Sequence, residues 1–285
     1  MGPATLVSVG VVPALVALIV FALVWRLSGI RTAAAPVAVA GMAFAVGVCA
    51  GYVALIRVAK LAPAFPNDGW QWLPWLALLA STLVCGAASP RFPRWVVPSI
   101  AAFVAILTVA IIVPRWVSLA PQRPVWMAVG AVAICGVWIL LDTLWRERVT
   151  LSATVAVGLS GTATAAVLAL AGSLKFGLLA GLAVSAFGGT VLATRIGRVP
   201  TAQRGILLGY CTLVMGILLV GWLYSADSAP PASFLLPALA PAVIGILGHP
   251  RVKARTGRWQ GPLELTLAAV ASGVAVWMAW PTESW

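Results

Sequence analysis

The chain has 285 residues, of which 62% are hydrophobic and 8% are charged, and its formal net charge is +12. Soluble globular proteins are about 45–50% apolar and about 25% charged, so this composition excludes a soluble domain and a disordered chain. The basic residues lie between apolar stretches, so the positive charge does not indicate a nucleic-acid partner. We expect an integral membrane protein.

Apolar stretches of membrane-spanning length follow one another along the chain. A hydrocarbon core about 30 Å thick is crossed by roughly 20 apolar residues in a helix. Ten such stretches predict an all-α integral membrane protein, a polytopic bundle of about ten transmembrane helices that forms a single domain over residues 1–285. They are Thr5 to Trp25, Ala33 to Ile56, Trp70 to Ser89, Trp95 to Val113, Val125 to Trp145, Thr150 to Gly172, Phe176 to Thr194, Gly205 to Tyr224, Ser233 to Gly248 and Pro262 to Trp280.

Three parts of the chain allow two interpretations each. No basic residue precedes the first, and its apolar run is long for a signal peptide, so we expect it to be retained as a span. Residues 150–194 are about twice the length of one span, which favours two helices joined by a tight turn near Gly172 over one long helix. The ninth stretch is the shortest and contains Pro237 and Pro241, so a re-entrant segment is its alternative.

Lysine and arginine are unevenly distributed between the two sides of the predicted bundle. With ten spans, thirteen fall on one side and five on the other. Because cytoplasmic loops carry the excess of Lys and Arg, we expect the basic side in the cytoplasm and both termini outside. A re-entrant ninth stretch would move the basic residues 251–258 outside, which argues against it. Arginine far outnumbers lysine, as in GC-rich bacterial genomes, so we expect the bacterial cytoplasmic (inner) membrane.

A faint similarity relates the first four predicted spans to the last four. The matching segments are Arg26 to Thr32 with Arg195 to Thr201, and Pro90 to Trp95 with Pro250 to Trp259. They predict parallel repeat units 1–113 and 176–280 on either side of a central helix pair, 125–172, which is a 4+2+4 arrangement of a kind known from transport folds. The alternative is that basic and aromatic residues recur at every cytoplasmic turn.

Ionisable residues within a membrane are functional candidates because their burial is unfavourable. Asp142 and Glu264 are the two carboxylates that fall within predicted spans. Asp142 precedes Arg146 by four residues, so it can form an interfacial ion pair on one helix face, and a substrate or proton site is the alternative. Glu264 opens the tenth span, where a carboxylate stabilises a helix N-terminus and can neutralise a basic neighbour.

Uncharged polar residues and prolines provide a second set of candidates. The sixth span is the most polar, and Ser160, Thr162 and Thr164 can either line a pathway or bond to their own helix and to neighbouring helices. Pro237 and Pro241 can break the ninth span and free carbonyl groups for a ligand, or merely kink it. Together with Asp142, these residues form the predicted pathway.

Metal, cofactor and catalytic motifs are missing from the sequence. Four cysteines lie in separate apolar stretches, and His249 is the single histidine, so neither a zinc site nor a bis-histidine haem is expected. No nucleotide-binding fingerprint or nucleophile–base motif is present. We therefore expect no cofactor and no enzymatic activity. The basic cluster is predicted to contact anionic lipid headgroups through Arg251, Lys253, Arg255 and Arg258.

Two functions are compatible with these features. The first is a permease or exporter of a small or amphiphilic molecule, with its pathway beside the sixth and ninth spans. The alternative is a non-catalytic integral membrane subunit that scaffolds or anchors a larger membrane complex, which the scarcity of buried charge favours. The expected partners are membrane lipids, together with other membrane subunits or a second copy of the chain, and no nucleic acid is expected.

Overall fold

The structure is a computed structural model that describes residues 3–28, 35–59, 66–87, 92–93, 95–147, 149–225, 229–248 and 257–280. Within these ranges the chain is 90% helical and contains no β-strand. An α-helix pairs most of its backbone groups within its own segment, as the interior of a membrane requires. The predicted all-helical class is therefore confirmed.

The α-helices follow the apolar stretches in chain order. They are α1 (Pro3–Leu6), α2 (Val12–Ser28), α3 (Ala35–Ala59), α4 (Leu73–Ala87), α5 (Val96–Ile112), α6 (Arg123–Glu147), α7 (Leu151–Leu170), α8 (Leu174–Ile196), α9 (Leu207–Ser225), α10 (Pro231–Gly248) and α11 (Gln260–Met278). A π-helical turn, Val7–Val11, joins α1 to α2, and 3-10 helices cover Gly69–Trp72, Val117–Leu119, Pro200–Ile206 and Gly257–Trp259. The turn predicted within residues 150–194 is confirmed, because α7 ends at Leu170 and α8 begins at Leu174, with Gly172 at φ 80° between them.

Seven helical segments of the described chain are long and apolar enough to cross a membrane. They are Ala4–Arg26, Ala35–Val58, Arg123–Arg146, Leu151–Leu170, Leu174–Ile196, Pro200–Ser225 and Gln260–Met278. The other predicted spans coincide with α4, α5 and α10. Of these, α4 and α5 have 15 and 17 residues, and the apolar part described for α10 is Pro231–Ile244. The helices support a membrane-embedded protein, while the count of ten spans stays a prediction.

Helix α9 lies at the centre of the bundle. Every residue from Leu207 to Gly221 is buried, and the helix packs against α4, α5, α6, α8 and α10. A helix that is apolar on all sides is stable only when protein or lipid surrounds it completely, and here neighbouring helices do so. Around α9, one group comprises α2, α3 and α8, and another comprises α7, α10 and α11.

Small residues allow the closest helix contacts in this arrangement. Gly189 of α8 faces Ala14 of α2, and a Cβ atom added to Gly189 would overlap the Ala14 backbone. A Cβ on Gly41 of α3 would lie 2.7 Å from the carbonyl oxygen of Gly205, at the start of the segment that leads into α9. Such close backbone approach replaces the hydrophobic driving force that lipid-facing helices lack.

Candidate functional site

Two arginines hold the carboxylate of Asp142. Nε and Nη2 of Arg204 donate to Oδ1 at 3.0 and 2.9 Å, and Nε and Nη2 of Arg146 contact Oδ2, each at 2.8 Å. The Asp142 side chain is 9% exposed, whereas those of Arg204 and Arg146 are 32% and 51% exposed. A buried carboxylate is stable when both oxygens are paired in this way.

The sequence did not indicate the second partner of Asp142, which lies outside α6. The pair with Arg146 is present, as its four-residue spacing indicated. Arg204 lies 62 residues away in the 3-10 helix Pro200–Ile206, and the sequence indicates it only as one of the basic residues between predicted spans. Its position directly before the apolar run of α9 is the sequence signal for an arginine at the boundary of the bundle. The ion pair joins the end of α6 to the start of the central helix.

Gln203, next to Arg204, links two further helices. Its Oε1 accepts a hydrogen bond from Thr154 of α7 at 3.0 Å, and its Nε2 donates to Thr194 of α8 at 3.1 Å. All three residues are buried. The amide is suited to this position because it is donor and acceptor at once. The sequence did not indicate Gln203 as a candidate. The available signal is a glutamine at the edge of an apolar span, which is an uncommon position for this residue.

Glu264 of α11 is buried and bonded to neutral donors. Ser152 of α7 donates to its Oε2 at 2.6 Å, and Gln260 donates to its Oε1 at 2.8 Å. Thr150, whose Oγ1 caps the start of α7 by accepting from the Ala153 N–H, lies within hydrogen-bond distance of Ser152. The carboxylate therefore connects the N-terminal part of α11 to the first turn of α7.

Ser160 and Pro237, two members of the predicted pathway, are in direct contact. Ser160 Oγ donates to the carbonyl oxygen of Pro237 in α10 at 2.6 Å. That carbonyl would pair with the N–H of residue 241 in a regular helix, but residue 241 is proline and has no N–H. The helix α10 continues through both prolines, and a side chain from α7 supplies the missing donor.

The other two hydroxyls of the predicted pathway bond to their own helix. Thr164 is buried and donates to the carbonyl oxygen of Ser160 at 3.0 Å. Thr162 is exposed and donates to the carbonyl oxygen of Gly158 at 3.0 Å. Thr162 therefore faces away from the bundle interior, because residues two positions apart lie on different faces of a helix.

These contacts make α7 a connecting helix with a different partner at each level. Along it lie Ser152 with Glu264 of α11, Thr154 with Gln203, the carbonyl of Val157 with the Tyr210 hydroxyl of α9 at 3.0 Å, and Ser160 with Pro237 of α10. Thr154 and Ser160 are six residues apart, so the contact with Gln203 and the contact with Pro237 are separated by about 9 Å along the helix axis. Asp142 pairs with Arg204, the neighbour of Gln203, and so belongs to the level of Thr154 and not to that of Ser160 and Pro237.

An aromatic cluster surrounds the ammonium group of Lys175 at the turn between α7 and α8. The Nζ atom lies 5.1 Å from the ring centroid of Trp70, 4.9 Å from that of Phe176 and 5.5 Å from that of Tyr224. Phe176 also meets both other rings edge to face. An ammonium group is stabilised by the negative faces of such rings. The sequence indicated Trp70 only as the start of the third predicted span and did not bring these residues together.

The remaining candidates are placed only in part. Arg251, Lys253 and Arg255 lie outside the described residues, and so does the side chain of Arg258. In the part of the chain that is described, no three His, Cys, Asp or Glu side chains group closely enough to hold a metal ion. The expected absence of a cofactor stays a prediction.

A cavity of about 510 Å³ lies apart from all these groups. It opens on the flank of the bundle between α3 and α4, and its lining runs from Val46 to Arg57 with Leu78 opposite. None of the predicted pathway residues lines it. No known family model matches the chain, and no curated protein shows significant sequence similarity to it.

Proposed function

We propose that this chain is a non-catalytic integral membrane subunit that scaffolds or anchors a larger membrane complex. The observation that supports this proposal most directly is the use of the polar groups along α7. The groups at Ser152, Thr154, Val157 and Ser160 each hold a neighbouring segment of the bundle. A core held by such contacts suits a platform for partners, because satisfied polar contacts favour one arrangement of helices.

A docking surface for such a partner is available on α11. Its α11 flank, defined as Leu263, Leu267, Val270, Val274 and Trp277, is exposed along the helix. Gly273 lies beside this flank, and a Cβ atom added there would have no neighbour within 4 Å. Small residues next to aliphatic and aromatic ones allow a helix of another subunit to approach closely. We therefore assign the α11 flank to a transmembrane helix of the partner.

Purification from native membranes into nanodiscs, followed by mass spectrometry, tests the proposal. We expect a reproducible stoichiometric protein partner with the wild-type chain, and its loss with Val270→Trp, which blocks the α11 flank. The matched control is Ile19→Trp on the exposed bulky face of α2, which should keep the partner. A second copy of this chain as the sole partner would make the scaffold a homo-oligomer. A single chain that carries a bound metabolite would contradict the scaffold.

A permease or exporter of a small or amphiphilic molecule is the second candidate, and one observation favours it. Two prolines lie inside α10, and a single hydroxyl from another helix pairs the carbonyl of Pro237. Separation of α10 from α7 would expose that carbonyl to a ligand, as in transporters with discontinuous helices. A co-purified metabolite whose amount rises in Ser160→Ala, which frees the Pro237 carbonyl, and is unchanged in Thr162→Ala would support this candidate. The same amount in both variants would contradict it.

We propose the membrane orientation on the basis of charge. Ten spans would place both termini outside the bacterial cytoplasmic (inner) membrane and thirteen basic residues in the cytoplasm. The 4+2+4 repeat belongs to the same proposal, because its units share an orientation only with this number of spans. An alkaline phosphatase fused to the C-terminus should be active, and a fluorescent protein fused there should be dark. The opposite pair of results would overturn the orientation.

A further inference from the structure

The cavity between α3 and α4 has the shape of a groove along one helix. Its lining on α3 includes Val46, Ala50, Ala54 and Arg57, which recur every three to four residues and so form one stripe of the helix. Ala50 and Ala54 are small, which gives the groove its depth. None of the lining residues is fully buried, so the groove is open to the surroundings of the bundle.

The length of the groove matches one leaflet of a bilayer. Val46 and Arg57 are eleven residues apart, which corresponds to about 16 Å along a helix. Half of the hydrocarbon core is about 15 Å thick. Arg57 lies in the last turn of α3. A charged side chain near the end of a membrane helix extends to the headgroup level, so the Arg57 end of the groove is the end nearer to the headgroups.

A single cation stands at that end of an otherwise apolar lining. Arg57 is exposed in the last turn of α3 and forms no ion pair with any residue that the structure describes. The guanidinium group binds phosphate through two parallel hydrogen bonds, and an arginine near the membrane surface attracts anionic lipid. An apolar groove of one-leaflet length with a guanidinium at its headgroup end is complementary to a lipid.

We propose that this groove binds a phospholipid of net negative charge, with an acyl chain between α3 and α4 and its phosphate on Arg57. Gly41, near the start of α3, contacts Gly205 beside Arg204, whereas Arg57 lies sixteen residues further along the same helix, about 24 Å away. The site therefore lies at the end of the bundle opposite to Asp142.

Native mass spectrometry of the delipidated full-length protein tests the charge preference. The probe is a mixed micelle with equal amounts of phosphatidylglycerol and phosphatidylcholine. We expect the wild-type protein to retain phosphatidylglycerol over phosphatidylcholine by about fivefold, since one arginine near the membrane surface has an effect of that order. In Arg57→Gln most of this preference should be lost, and the remainder is due to the other basic residues of the chain. The matched control is Arg115→Gln, an exposed cation that does not line the groove, which should keep the preference.

A second variant tests the acyl chain independently of charge. Ala54→Phe fills the groove from a half-buried position, and it should abolish retention of both lipids. Ala128→Phe, an exposed alanine on α6, should leave retention unchanged. Excess glycerol 1-phosphate should not displace the lipid, because it lacks the acyl chain. The proposal is overturned if the wild-type protein retains both lipids equally, if the preference is unchanged in Arg57→Gln, if Ala54→Phe retains as much lipid as the wild type, or if glycerol 1-phosphate displaces it.

Discussion

The hydroxyl of Ser160 donates to the carbonyl oxygen of Pro237 and so replaces the backbone N–H that Pro241 lacks. The two oxygens lie 2.6 Å apart. Without this contact the carbonyl would be left unpaired in the bundle, and unpaired backbone groups are rare because their burial is unfavourable. The stretch of α10 that contains the two prolines therefore depends on α7 for its stability.

Ser160→Ala is expected to destabilise the bundle. Removal of the hydroxyl leaves the Pro237 carbonyl without a donor, which should lower the free energy of unfolding by about 1 kcal/mol. The measurement is reversible unfolding in mixed micelles of dodecyl maltoside and dodecyl sulfate, followed by circular dichroism. Thr162→Ala is the control, because Thr162 is exposed and bonds only within its own turn of α7.

A suppressor separates the loss of this hydrogen bond from the loss of packing. Pro241→Ala restores the N–H of residue 241, which can pair with the Pro237 carbonyl as in a regular helix. We therefore expect Ser160→Ala to be nearly neutral when Pro241→Ala is already present. If Ser160→Ala has the same effect in both backgrounds, the hydroxyl does not replace the proline donor.

The cluster of Asp142 with Arg204 and Arg146 should respond unequally to substitution of its members. Asp142→Asn leaves two guanidinium groups facing each other, and we expect it to lower the free energy of unfolding by about 2–3 kcal/mol. Arg204→Gln should be intermediate. Arg146→Gln should change the free energy of unfolding by less than about 0.5 kcal/mol, because half-exposed i,i+4 pairs are weak. Equal effects of the two arginine variants in the same unfolding assay would contradict this ranking.

Adjacent glycines on α8 provide a matched pair for helix contact. Gly189 faces the backbone of Ala14, whereas a Cβ atom on its neighbour Gly188 would meet nothing within 4 Å. Gly189→Ala should force α2 away from α8 and lower the free energy of unfolding by about 2 kcal/mol, in the range observed for overpacked cores. Gly188→Ala should be neutral or slightly stabilising, because alanine favours the helix over glycine. If Gly188→Ala is destabilising and Gly189→Ala is neutral, α2 does not pack against the face of α8 that carries Gly189.

Local features of the fold could be predicted from the sequence. Apolar length indicated where the helices lie, because the membrane interior tolerates only backbones that are bonded within their own segment. The turn at Gly172 followed from a stretch too long for one span, and the pair of Asp142 with Arg146 followed from helical spacing. Trp70 was expected to open a span but lies in the 3-10 helix Gly69–Trp72, where the Gln71 side chain accepts from the N–H of Asn67 and Asp68.

Contacts between distant segments could not be predicted in the same way. Ser160 and Pro237 were each selected, but their pairing depends on the packing of α7 against α10. Arg204 and Gln203 were missed, because a loop residue enters the interior only when the start of the next helix is buried. Such contacts join residues 49 to 112 positions apart, and no local pattern specifies which helices become neighbours.

Lys175 lies at the end of the bundle opposite to Asp142, and its contacts with aromatic rings can be tested by substitution. Lys175 lies over the rings of Trp70, Phe176 and Tyr224, at 4.9–5.5 Å from their centroids. Lys175→Met keeps the length of the side chain but removes its charge, and we expect it to lower the free energy of unfolding by about 1 kcal/mol. Lys175→Arg should stay close to the wild type, because a guanidinium group also binds aromatic faces.

Tryptophan fluorescence during unfolding is a suitable measurement, since Trp70 is one of the three rings. Arg115→Met serves as the control, because it removes an exposed cation that has no ring contact among the described residues. If Lys175→Met and Arg115→Met change the free energy of unfolding equally, the rings do not stabilise the ammonium group. If Lys175→Met lowers the free energy of unfolding and Lys175→Arg does not, the stabilisation is due to the positive charge that lies over the rings.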